Sequence, residues 1–171
     1  AAGFGYIGLA ASVLVILRGS QAGLGALLMV VAGVVATDIC AYFAGRTFGG
    51  PKIAPRVSPS KTWSGLCGGM IAAALWMVLA IGTLRYGSQG MEMKPDYAAA
   101  FLSRGTAIAA LVGAGLAVAA QAGDFLESWI KRRAGAKDSS RLIPGHGGVL
   151  DRLDGLLPVA VIAGLALAWP W

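Results

Sequence analysis

Charge is scarce in this chain. Of its 171 residues only 13% are Asp, Glu, Lys or Arg, where a soluble domain carries about a quarter, and His146 is the single histidine. That shortage excludes an ordinary soluble globular domain. Cysteine is sparse too: Cys40 and Cys67 form no CxxC and have no His/Cys cluster beside them, so neither a metal centre nor a disulfide is expected of them, and packing is their reading. The chain begins at Ala1 inside an apolar run, without an initiator Met or the charged n-region of a signal peptide, and reads as N-terminally incomplete. Also missing are GxSxG, HExxH and GxxxxGK[ST], the signatures of a nucleophile elbow, a zinc peptidase and a P-loop.

What fills the chain instead is apolar sequence, 57% hydrophobic with mean hydropathy +0.71. A helix needs roughly 20 such residues to cross a hydrocarbon core. Five segments qualify, near 2–17, 22–44, 65–86, 99–123 and 155–171, the first two expected as a helical hairpin. The 26 glycines suit close helix approach rather than disorder, and the same small-residue faces would suit a homodimer. The expected fold class is all-α, a polytopic membrane bundle of about five transmembrane helices, with residues 1–171 as one transmembrane domain. A net charge of +6 in such a chain concerns topology, so no nucleic acid is expected as a partner. The loop 45–64 and the region 124–154 are separated by two spans and share a side. Together they hold ten of the fourteen Lys and Arg, which makes that side cytoplasmic by the positive-inside rule.

Asp38 falls near the end of the second span, where an acid is costly enough to suggest function; pairing with Arg46 or Lys61 is the structural alternative. The loop after it, GRTFGGPKIAPRVSPSKTWSG, carries four cations and three prolines and is expected to be irregular. Its SPSKTWSG end offers hydroxyls, amides and Lys61 to an anion such as phosphate, or simply holds topology. Glu92 and Asp96 read as solvated loop acids.

The densest chemistry lies in Gln121–Asp154, with five acids, six basic residues and His146 within an otherwise apolar chain. If the fourth helix continues past the bilayer, Asp124, Glu127, Ser128 and Lys131 share one face. Carboxylates on one stripe suit a hard cation such as magnesium, which binds through one or two carboxylates plus substrate phosphates. Lys131, Arg132, Arg133 and Lys137 suit phosphate neutralisation or lipid headgroups. Pro144–Gly148 breaks the helix around His146, which serves either ligand contact or the site's architecture. Asp151 and Asp154 are expected on one face as the fifth span begins. From the residues alone, this is a site for metal-bridged phosphates at a membrane surface; a cation channel or carrier using Asp38, Asp124 and Asp151 is the rival of another class.

The run from Ser128 through Ile130-Lys131-Arg132, Lys137-Asp138, Ser140, Ile143-Pro144 and His146-Gly147-Gly148-Val149 to Asp151-Arg152-Leu153-Asp154 resembles the signature of the phosphatidate cytidylyltransferase (CDP-diacylglycerol synthase) family. Asp38-x-x-Ala41-Tyr42-Phe43-x-Gly45-Arg46 and Ser58–Gly65 are similar to its second block, with Ser60 and Ser64 where the family more often has Lys and Glu. The resemblance covers roughly residues 35–171, the C-terminal part of the family. It implies transfer of a cytidylyl group from CTP to phosphatidate with Mg2+, a second metal ion being compatible, in a bacterial cytoplasmic (inner) membrane with the catalytic region 121–154 facing the cytoplasm. By the same resemblance Asp124 and Asp151 are the principal metal ligands, with Glu127 and Asp154 beside them. Lys131, Arg132 and Lys137 neutralise phosphates, and His146 belongs to the catalytic set. Ser58, Lys61 and Thr62 close over a substrate phosphate, Ser128 and Arg152 add substrate contacts, and Asp38 lies beneath the metal or orients a cation. A CDP-archaeol synthase and a CTP-using lipid kinase are the neighbouring alternatives.

Overall fold

A computed structural model describes residues 2–19, 23–86, 103–136, 139 and 150–168. The described chain is an all-α membrane bundle with one small hairpin: α1 (Ala2–Gly19), α2 (Gly23–Phe48), β1 (Lys52–Ala54), β2 (Ser58–Thr62), α3 (Trp63–Tyr86), α4 (Arg104–Arg133), α5 (Leu150–Leu153) and α6 (Leu156–Ala168). Over the described residues, each of the five expected spans is helical. Three of them are long and apolar enough to cross a membrane; α1 and α6 contribute shorter apolar stretches, Ile7–Ile16 and Leu156–Leu165. The long helices neighbour one another in order, α2 on α3 and α3 on α4, and α6 and α1 complete a ring back to α2.

Small residues make this ring tight. A Cβ on Gly65 would sit 2.8 Å from the Ala41 carbonyl, one on Gly68 would strike Ala44, and one on Gly33 would lie 2.8 Å from the Trp76 ring. Trp76 in turn donates its indole N–H to the Met29 carbonyl at 2.9 Å, which ties α3 to α2 along their length. Between α4 and α6 the close pass is at Gly123, where a Cβ would meet the Asp154 carbonyl at 2.5 Å and Pro158 at 2.6 Å. Val34, Ala120, Leu156 and Val159 form one apolar core; Ala10, Leu157 and Ala160 form a second. The first helix therefore packs on the last as well as on the second.

The fourth helix starts later than expected, at Arg104, because the Ser103 hydroxyl caps it by accepting the Thr106 amide at 3.3 Å. Its 30 residues span about 45 Å at 1.5 Å each, longer than a hydrocarbon core of about 30 Å. The last ten residues, from Asp124, therefore extend beyond the span on the same continuous helix.

The loop after α2 is more regular than its prolines suggest. Gly49 (φ 60°) and Gly50 (φ 101°) take the left-handed conformations that stop α2, and β1 pairs antiparallel with β2, Lys52 opposite Thr62 and Ala54 opposite Ser58. Pro55 occupies the second position of the turn closed by Val57 N–H to the Ala54 carbonyl at 3.1 Å. Proline here shapes a hairpin. The fifth span differs too: α5 ends at Leu153 and α6 starts at Leu156, so Asp151 and Asp154 do not share one continuous helical face. Gly155 N–H donates to the Asp154 side chain at 2.7 Å, a local bond that competes with the helical pattern and interrupts it.

Candidate active site

The site is built around the C-terminal third of α4. Position and helical period bring Asp124, Glu127, Ser128 and Lys131 onto one stripe, and Ser128 donates to the Asp124 carboxylate at 3.4 Å. Two further elements reach this stripe from different sides.

From one side comes the hairpin. Thr62 is buried, and its hydroxyl accepts the Gly65 amide at 3.1 Å, capping α3. Ser64 donates to the Gly49 carbonyl, and Trp63 N–H to the Pro51 carbonyl at 3.1 Å. Pinned at its C-terminal end in this way, β2 aims Lys61 at α4, where its ammonium pairs with Asp124 and donates to the Gln121 side chain at 3.1 Å. A cavity of about 460 Å³ lies here, lined by Asp38, Tyr42, Arg46, Lys52, Lys61 and Asp124, among others. Arg46 donates to the Tyr42 hydroxyl at 2.7 Å. Three cations and two carboxylates give these walls an excess of positive charge.

From the other side comes the α5–α6 corner. Lys131 lies 2.5 Å from Asp151 and 3.3 Å from Glu127. Asp151 also accepts the Ser139 amide at 2.9 Å and the Ser139 hydroxyl at 2.8 Å, which fixes its carboxylate. Glu127 is buried and both its carboxylate oxygens lack hydrogen bonds among the described residues, its contact to Lys131 being one of charge alone. A second cavity of about 300 Å³ lies here, walled mostly by Ile7, Leu126, Ile130, Leu150 and Leu157, with Glu127, Lys131 and Asp154 also on its lining. Asp154 connects the two sides: burial first, and then the Asp124 carboxylate, push its carboxyl up to about 6.

This donor set fits a hard divalent cation. Glu127 and Asp151 reach the same ammonium with oxygen ligands, and the unbonded buried oxygens of Glu127 are atoms a cation would satisfy. Among the described residues no three His, Cys, Asp or Glu side chains group closely enough to hold a metal ion by themselves, so an ion here would need further ligands from phosphate and water.

Of the residues singled out from the sequence, Asp38, Lys61, Asp124, Glu127, Ser128, Lys131, Asp151 and Asp154 gather around this end of α4. The acids associate differently from their order in the chain: Asp124 faces Lys61, while Glu127 joins Asp151 through Lys131. Thr62 serves the helix cap. Ser58 stands at the paired far end of β2, and its neighbour Ser60 lines the cavity instead. Arg132 is exposed on the last turn of α4. Lys137 and His146 lie outside the described residues, as do the Arg152 side chain and the acids Glu92 and Asp96. Gln121 and Ser139 were not foreseen. Gln121 had a signal, an amide one turn before Asp124 in an apolar helix; Ser139 sits between Lys137-Asp138 and Ser140 of the signature-like run, at a position that run leaves open.

The sequence model of the cytidylyltransferase family matches residues 1–169. Among curated proteins, the chain is 46% identical over 163 residues to the phosphatidate cytidylyltransferase of Brucella melitensis, covering 95% of this chain and 54% of that protein. It is 43% identical over 160 residues to the phosphatidate cytidylyltransferase of Pseudomonas aeruginosa, covering 92% and 53%, and 43% over 134 residues to that of Haemophilus influenzae, covering 78% and 42%. The chain thus spans about half the length of the curated relatives it matches.

Proposed function

The chain belongs to the cytidylyltransferase family, and on that premise we propose that it carries the catalytic part of a phosphatidate cytidylyltransferase. CTP and phosphatidate would give CDP-diacylglycerol and pyrophosphate. The observation that supports this reading best is the meeting of Lys61 with Asp124 and of Lys131 with Glu127 and Asp151 along one stretch of α4. Cations and carboxylates so arranged suit a reaction between two phosphates.

A phosphate oxygen of phosphatidate attacks the α-phosphorus of CTP. The new P–O bond forms as the bond to the bridging α–β oxygen breaks, and that oxygen leaves on pyrophosphate with the electron pair. A phosphomonoester dianion needs no base to attack, so catalysis rests on positioning and on offsetting charge. Arg46, Lys52 and Lys61 line the cavity that would hold phosphate oxygens, and Lys131 serves the second cluster. Ser139 orients Asp151, and Gln121 steadies Lys61. Glu127 and Asp151 would hold Mg2+, with Asp124 and Asp154 available to a second ion; a bound cation would offset the negative charge that develops on the leaving pyrophosphate. Lys137, Arg152 and His146 complete the proposed set from the family signature.

The reaction's setting follows from its substrates. Phosphatidate keeps its acyl chains in the bilayer while CTP arrives from the cytoplasm, so the site belongs at a cytoplasmic membrane face, consistent with the ten Lys and Arg of loop 45–64 and region 124–154. In this reading the host is the bacterial inner membrane, and exposed small-residue faces would support a homodimer.

The test is to incubate the protein in detergent with CTP, phosphatidate and magnesium and to follow CDP-diacylglycerol. Asp124→Asn and Asp151→Asn are each expected to lower the rate by about 10²-fold or more. Undiminished product from either variant would remove that residue from the catalytic set.

A further inference from the structure

The two cavities differ in kind, and that difference bears on which substrate each receives. We propose that the apolar-walled cavity between α1, α4 and α6 receives phosphatidate and that the hairpin-side cavity receives CTP, an assignment that rests on the reaction proposed above.

The first argument is the walls. Ile7, Leu126, Ile130, Leu150 and Leu157 offer hydrocarbon contact, which favours the glycerol backbone and first acyl methylenes of a lipid, each buried CH2 adding to the gain. A ribose and a triphosphate would gain nothing there and would lose water. Ile7, Leu126 and Ile130 are also exposed, so this apolar wall is accessible to a hydrocarbon chain.

The second is charge. The hairpin side sets Arg46, Lys52 and Lys61 against Asp38 and Asp124, which attracts a polyanion on its own. The apolar side sets Lys131 against Glu127 and Asp154, which repels one unless a divalent cation accompanies it. A single phosphomonoester with its cation matches that end. Lys131 donates to Asp151 and pairs with Glu127 by charge alone, which leaves N–H groups for a phosphate oxygen.

The third is position. Asp124 lines one cavity, while its neighbour Gly123 and Glu127 line the other, so both cavities border the same stretch of α4, as a reaction between their two occupants requires.

The experiment has two readouts. Photolabelling uses a phosphatidate carrying a diazirine near its glycerol end, with magnesium and without CTP. It is expected to mark peptides containing Leu126–Ile130 and Leu150–Leu157; marking confined to Lys52–Thr62 would overturn the assignment. In kinetics, Ile130→Trp, which narrows the apolar cavity, is expected to raise KM for phosphatidate about tenfold while KM for CTP stays within about twofold. A rise confined to KM for CTP, or no change in either with product still forming, would overturn it. The labelling uses the unaltered protein, so it decides the assignment even where Ile130→Trp fails to fold. A protein that makes no CDP-diacylglycerol yet is labelled at Leu126–Ile130 would refute the proposed reaction and leave the lipid site standing.

Discussion

Lys61 and Lys131 do similar work on adjacent flanks of α4, but the chain assembles them in different ways. Lys131 is held largely by its own helix, with Glu127 one turn earlier, and by Asp151 from the next element. Lys61 reaches Asp124 across 63 positions of sequence, on a hairpin pinned by the Thr62 cap and the Ser64 bond to Gly49. The Lys131 cluster is thus mostly local, and the Lys61 cluster depends on tertiary docking. Damage to the hairpin should therefore affect one substrate, whereas damage to the α4–α6 contact should affect both.

The largest effect is expected where the two flanks share a support. Gly123→Leu would drive a side chain into the Asp154 carbonyl and Pro158. It is expected to abolish product formation and to cost about 1–3 kcal/mol of stability by overpacking, read as a lower melting temperature and as loss of binding for CTP and phosphatidate together. Loss for one substrate alone would break the view of α4 as a common spine.

Lys61→Met should separate the flanks. Removing an ammonium from the proposed CTP cavity and leaving Asp124 without its ion pair is expected to raise KM for CTP about 10- to 100-fold, with Lys61→Arg recovering part of it. KM for phosphatidate should hardly move; equal rises in both would erase the distinction.

A smaller effect concerns pH. The Asp154 carboxyl is raised from 3.8 to about 6, so the metal-free fold favours its protonated form. For a raised acid the stabilising contribution is fully present below pH 3.8 and is lost as pH rises through about 6. The metal-free protein is expected to melt at a higher temperature near pH 5 than near pH 7 as far as this group is concerned, and Asp154→Asn to flatten that slope. Magnesium, which prefers the carboxylate, should reduce the slope as well.

The smallest effect belongs at the far end of α4. Ser103→Ala removes the cap on Thr106 and is expected to cost about 1 kcal/mol, with CTP and phosphatidate kinetics unchanged. A change in either KM would mean that the α4 N-terminus communicates with the site.

Much of this arrangement was legible in the residues because membrane helices announce themselves by length and hydropathy, and because helical spacing puts Asp124, Glu127, Ser128 and Lys131 on one stripe. The hairpin was not legible. Pro51, Pro55 and Pro59 signal an interruption of helix, but pairing between Lys52–Ala54 and Ser58–Thr62 depends on strand partners too short to show a period. The regrouping of the acids was equally hidden. Spacing places Asp151 three residues before Asp154, yet the Asp154–Gly155 bond breaks the helix between α5 and α6 and sends the two carboxylates to different partners. Gln121 and Ser139 act through contacts made only after α4, the hairpin and α5 have docked.

The most direct test of cytidylyl transfer is to follow two labels on CTP, one at the α-phosphate and one at the γ-phosphate, with phosphatidate and magnesium present. The α-label should enter the lipid product while the γ-label leaves entirely in pyrophosphate. A γ-label recovered in lipid would mean phosphoryl transfer instead, and neither label in lipid would contradict the proposed reaction.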